Sequence, residues 1–185
     1  MRWAALFADL EAQYAATDQL TLESEVAERA RMDQSALALT ERLRGQMGAV
    51  LKVRTSTGDT FEGELAYVGP EWLVLHAGRR SLLVPLPAVV LVHGMGRATA
   101  GAATGVESKL RLTSALRALG RDRAAVTVYF PAGESSGSAY GTIDRVGNDF
   151  AEMALIPKGE YRRAGNVVEV VALPLTSIVA VVSRK

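Results

Sequence analysis

Cysteine is absent from the 185 residues, and histidine is limited to His76 and His93. The first absence excludes disulfides and thiolate chemistry, and together they argue against zinc centres and against Cys or Ser nucleophiles served by imidazole. No apolar run approaches the roughly 20 residues of a membrane-spanning helix, so a soluble cytoplasmic protein with no membrane partner is expected. Charge of one sign is also missing overall, since 21 Lys and Arg stand against 20 Asp and Glu. That balance lacks the strongly basic face of a dedicated nucleic-acid binder. Catalytic constellations are lacking too. Asp144, Asp149 and Glu152 lie close in sequence, but strand alternation sends neighbours to opposite faces, and nothing marks an acid and base pair. Gly94-Met95-Gly96 is followed by linker residues rather than a helix, and Gly101 to Gly105 has no Gly-Lys-Ser/Thr, so neither forms a phosphate-binding turn. The chain reads as a non-enzyme without cofactor or metal.

What is present is a pattern stated twice. Val53, Gly58, Gly63, Leu65, Val68, Gly69, Glu71, Trp72 and Leu75 match Val128, Gly133, Gly141, Ile143, Val146, Gly147, Asp149, Phe150 and Met153 in order. Pro85, Leu86, Val89, Val90 and Val92 then match Pro174, Leu175, Ile178, Val179 and Val181. Two glycine pairs, an acidic-aromatic pair and a Pro-Leu pair in one order indicate internal duplication, and two copies suit two small domains, each closing its own core, better than a solenoid.

Ahead of the first copy, Trp3, Leu6, Phe7, Leu10 and Tyr14 recur at three and four residues, which predicts one stripe of a helix that docks on the strands. Leu22, Val26, Ala30, Leu37 and Leu43 continue a helical pattern to Gly45, giving a long arm over residues 1–46. From Ala49 the period becomes alternating, and Thr57-Gly58-Asp59, Gly69-Pro70, Ala77 to Arg80 and Leu86-Pro87-Ala88 separate five short strands. Gly63 inside the second strand permits sharp coiling. Residues 96–123 connect the copies through a small-residue linker and an amphipathic helix. They carry six cations, Arg97, Lys109, Arg111, Arg117, Arg121 and Arg123, against two acids. Trp72 and Phe150 suit either base-stacking platforms or core aromatics, and alternation favours the core.

A helix followed by five strands, with Gly58 and Gly63 five apart, a bent second strand and a tight turn at Leu86-Pro87-Ala88, resembles the Sm-like fold of LSm proteins and of the bacterial RNA chaperone Hfq. The opening Arg2 to Glu11 also resembles the start of an uncharacterised actinobacterial family and implies no activity. The Sm-like resemblance implies a mainly β protein with helices (α+β): two five-stranded antiparallel barrels over residues 47–95 and 124–185, each preceded by a helix. It further implies assembly in which the fourth strand of one barrel pairs with the fifth of the next. Departures are plain: the third-strand asparagine of Sm proteins is replaced near Trp72 and Phe150, and the Tyr-Lys-His of Hfq by Leu86-Pro87-Ala88 and Leu175-Thr176-Ser177.

Two functions are expected from this. One is an RNA- or DNA-binding module using Arg79, Arg80, Lys109, Arg111, Arg117, Lys158, Arg162 and Arg163. The other is an oligomeric interaction scaffold using the barrel edges or the stripe of Trp3, Leu6, Phe7 and Leu10.

Overall fold

Along Val50 to Thr55 the residues alternate exposed and buried, with Leu51, Val53 and Thr55 turned inward, as a strand with one solvated face requires. In the computed structural model, which describes residues 2–184, this is strand β1 (Val50–Thr55). It is followed by β2 (Thr60–Val68), β3 (Trp72–Ala77), β4 (Arg80–Pro85) and β5 (Val89–His93). The second copy supplies β6 (Ala125–Ala132), β7 (Ser135–Val146), β8 (Phe150–Leu155), β9 (Glu169–Pro174) and β10 (Ala180–Arg184). Helices are α1 (Arg2–Ala36), α2 (Leu39–Arg44) and α3 (Leu112–Arg121).

The strands do not close into two barrels. They form one open antiparallel sheet of ten strands in the order β5-β1-β2-β3-β4-β10-β6-β7-β8-β9. Each copy contributes the order fifth, first, second, third, fourth, and the copies meet where β4 pairs with β10: Val181 lies opposite Leu83, Val182 opposite Leu82 and Ser183 opposite Ser81. The reason lies in the strand edges. An edge of unpaired N–H and C=O groups must find a partner or face water, and β10 offers β4 that partner, so closure within a copy is not needed. Residues Leu82 to Pro85 are all buried, the unbroken pattern of a central strand covered on both faces.

The duplication is reproduced in register. Leu51 faces Gly63 as Val126 faces Gly141, and Val53 faces Val92 as Val128 faces Val181. Both second strands carry an irregularity two residues past the matched glycine, between Leu65 and Tyr67 and between Ile143 and Arg145. Gly63 and Gly141 stand where the neighbouring strand passes close: a Cβ there would lie 2.6 Å from the His76 carbonyl oxygen and 2.1 Å from that of Ala154.

The copies share their cores instead of closing one each. Trp72 and Leu83 of the first copy pack with Leu112 and Leu116 of α3 and with Val126, Ile143 and Met153 of the second. Conversely, Ala180, Tyr129 and Val182 of the second copy join the cluster of Leu43, Leu51, Val53 and Leu75. The Trp72 indole N–H donates to the Leu110 carbonyl at 2.7 Å, and the ring stacks on Tyr67 at 5.0 Å. Trp72 is therefore a core aromatic. The Phe61 and Tyr129 rings meet edge to face, and the Ser136 hydroxyl donates to Asp59 Oδ1 at 3.0 Å, both across the joint.

The arm expected over residues 1–46 is also corrected. Helix α1 belongs to a unit that ends at Ala38, and the sheet-bearing unit from Leu39 onward holds only two short helices, α2 and α3. The break has a local cause: the Ser35 hydroxyl donates to the Met32 carbonyl at 2.7 Å, and Leu37 N–H turns to Gln34 at 3.4 Å, bonds that compete with helix continuation. On α1 the side chains of Trp3, Leu6, Phe7 and Leu10 are exposed, with Trp3 at 71%. In the other unit, α2 buries Leu43 and its Arg42 guanidinium donates to the carbonyls of Gly96, Arg97 and Ala98 at 2.6–2.9 Å. The buried Gln46 amide completes the strap, donating to Ala98 O and accepting from Gly96 N–H.

Candidate functional site

The eight predicted cations fall in separate segments of the fold. Arg79 and Arg80 lie at the β3–β4 turn, and Lys158, Arg162 and Arg163 lie in the equivalent β8–β9 connection. Arg111 and Arg117 lie just before and on α3, near the β2–β3 and β7–β8 turns respectively. Lys109 ends the single 3-10 turn ahead of α3.

Two of them are already engaged. Arg162 grips Asp144 through Nε and Nη2 at 2.8 and 2.5 Å. This fork holds the Asp144 carboxyl below its usual range, with the Thr142 hydroxyl and the charge of Arg123 adding to the effect. Sign follows directly: a depressed carboxylate stabilises the fold at neutral pH, and that contribution is lost as pH falls through the folded-state value. Arg117 donates to the Gly147 carbonyl at 3.2 Å, tying α3 to the β7–β8 turn.

At the joint a cleft of about 330 Å³ opens between the turns Leu86–Ala88 and Leu175–Ser177. Pro85, Pro87, Leu175 and Ile178 make its walls apolar, and Arg111 and Glu71 supply one charge of each sign. The Glu71 carboxylate already accepts the Leu112 N–H at 2.7 Å, satisfying the start of α3, so the cleft has no surplus charge to attract an anion.

The exposed apolar residues of the strands lie at the two ends of the sheet order and at the start of β1, where Val50 is 62% exposed. On β5, Val90 is 66% and Leu91 45% exposed; at and before β9, Val170 is 58% and Val168 74% exposed. Both strands are paired on one side only, β5 to β1 and β9 to β8. The Leu175 N–H donates to Asp149 O at 2.7 Å, which makes Pro174 opposite Phe150 a pair without mutual hydrogen bonds. Alternation then aims the N–H groups of Val170 and Ala172 outward. Sequence reading treated these strands as barrel staves, because nothing in a strand's side chains says which neighbour its backbone meets.

Among the described residues no group of three His, Asp or Glu is placed to hold a metal, and no helix is long and apolar enough to cross a membrane. No protein-family model matches this chain, and no curated protein sequence matches it significantly.

Proposed function

We propose that this protein is a non-catalytic assembly module that joins copies of itself edge to edge, β9 of one to β5 of the next. The carrying observation is the internal joint. Duplication makes β9 the counterpart of β4 and β5 the counterpart of β10, so each chain ends in the two halves of a contact it already makes once within itself. Transferring the internal register places Val92 opposite Ala172 and His93 opposite Val171. Such a joint covers Val90, Leu91 and Val170 and pairs an edge that is otherwise a liability. Because the two surfaces differ, the contact is heterologous, and it builds rings or open filaments, not isolated two-fold dimers.

Ala172→Pro tests it. Proline removes an outward N–H and leaves the β8 bonds in place, as Pro174 already does two residues on. Light scattering over a concentration series is expected to give a multimer for the natural chain and a folded monomer for the variant. A natural chain that stays monomeric at high concentration contradicts the proposal.

A further inference from the structure

Where α3 crosses β7 the chain builds a basic groove that the turn arginines do not share. Gly120 lets the helix approach closely, since a Cβ there would lie 3.1 Å from the Ile143 carbonyl oxygen. The resulting groove, about 300 Å³, is lined by Arg117, Arg121 and Arg145 around Asp144. With Arg123, whose charge acts on Asp144, and Arg162, which grips it, five arginines stand against the carboxylates of Asp122, Asp144 and Glu152.

Those carboxylates do not cancel the field. Asp144 is spent on Arg162, and the Arg145–Glu152 contact is a loose 3.5 Å pair with Arg145 73% exposed, the kind of surface pair that contributes little. Arg121 and Arg123 project from the end of α3, both exposed.

A second observation is independent of charge. Arg123 has φ +49°, the one non-glycine residue with positive φ among those described. It follows the α3 C-cap, Asp122, and its N–H donates to the Gly120 carbonyl at 3.1 Å. Helices end this way most easily with glycine, and a bulky residue kept in a left-handed conformation is a cost borne for some other use of its side chain. The turn leaves Arg123 just past Arg121, which lines the groove, with its charge acting on Asp144.

We propose that the α3–β7 groove binds the phosphodiester backbone of a nucleic acid, with Arg121, Arg123 and Arg145 as its phosphate contacts. Guanidinium forks match phosphate oxygens in pairs. No exposed aromatic lines the groove, so the contacts read backbone and not base, and binding is tolerant of sequence. This activity is separate from edge-to-edge assembly.

The test is fluorescence anisotropy with a labelled single-stranded RNA and a duplex DNA at about 50 and about 200 mM salt. Binding to either is expected to fall steeply with salt. Replacing Arg121 and Arg123 together by Ala should weaken it about tenfold at the lower salt and reduce the slope of log affinity on log salt by about 0.7–0.9 per charge removed. Arg79→Ala with Arg80→Ala should leave it unchanged. Arg123→Gly is the decisive single variant: it relieves the backbone, so melting temperature should hold or rise while affinity falls, opposite signs that a folding defect cannot produce. Absence of salt-sensitive binding to both nucleic acids, loss through Arg79 and Arg80 instead, or binding confined to anionic lipid vesicles overturns the proposal.

Discussion

Trp72→Ala is expected to destabilise the sheet-bearing unit by about 3–5 kcal/mol, the range for deleting a large aromatic from a packed core. At about 2–4 °C per kcal/mol for a chain of this size, the melting temperature should drop by roughly 6–20 °C. The side chain is 7% exposed and is the largest contributed by the first copy to the cluster around α3 and the second copy. Its removal opens a cavity beneath Leu112 and Leu116 and strands the Leu110 carbonyl that the indole N–H satisfies. Trp72→Phe separates the two effects, keeping most of the volume and losing only the hydrogen bond, and should cost about 1–3 kcal/mol. Were Trp72 a free stacking platform, both changes would leave the melting temperature in place. Phe150, its counterpart, is only partly buried and packs over Gly147 as Trp72 packs over Gly69, so Phe150→Ala should be the milder variant.

Gly141→Ala carries the second large effect. A Cβ at this position would sit 2.1 Å from the Ala154 carbonyl oxygen and 3.1 Å from Leu155 Cα, both backbone atoms fixed by the β7–β8 ladder. No rotamer relieves such a contact, so the strands must separate. The cost should reach or exceed the upper end of the usual overpacking range, about 3 kcal/mol. Two glycines of the β6–β7 hairpin calibrate this. Gly137 would press mainly on the far edge of the Phe130 ring, which can move, and Gly133 has open space but φ +62°. Alanine at Gly133 should therefore cost about 1–2 kcal/mol of backbone strain. Equal losses at Gly133 and Gly141 in thermal melts would show that β7 and β8 are not packed as described.

The matched glycines made these contacts legible in advance. Gly63 and Gly141 stood out inside strands, and the structure shows why: each is crossed by the neighbouring strand too closely for a side chain. Strand positions were equally readable, because β1 alternates and the turns carry glycine or proline. What stayed hidden was the joint. Strand β4 and its counterpart β9 have similar sequences, Ser81 to Pro85 beside Val170 to Pro174, yet the first is central and the second an edge. Backbone hydrogen bonds decide between those fates, and they leave no side-chain signature. The runs Leu82-Leu83-Val84 and Val171-Ala172-Leu173 are both apolar throughout, and only the first is buried throughout.

The arginine groove was half visible. Arg117, Arg121 and Arg123 fall in one basic connector of the sequence, whereas Arg145 sits inside a strand pattern and Arg162 in a loop 18 residues from the Asp144 that it grips. Alternation predicts that Asp144 and Arg145 point apart. The irregularity between Ile143 and Arg145 breaks that alternation and lets both line one groove. A β-bulge of this kind is set by long-range pairing, so local sequence does not announce it.

The central claim, that the free edges reproduce the internal joint, is tested most directly by crosslinking. The chain has no cysteine, so His93→Cys and Val171→Cys can be made in separate proteins on a silent background. The transferred register puts these residues opposite each other as a pair without mutual hydrogen bonds, Cα atoms about 4.5 Å apart, within disulfide reach. Mild oxidation of the mixture is expected to yield a disulfide-linked dimer containing one of each variant, while neither variant alone crosslinks. Dimers formed as readily by either variant alone, or no crosslink in the mixture, would contradict the edge-to-edge account.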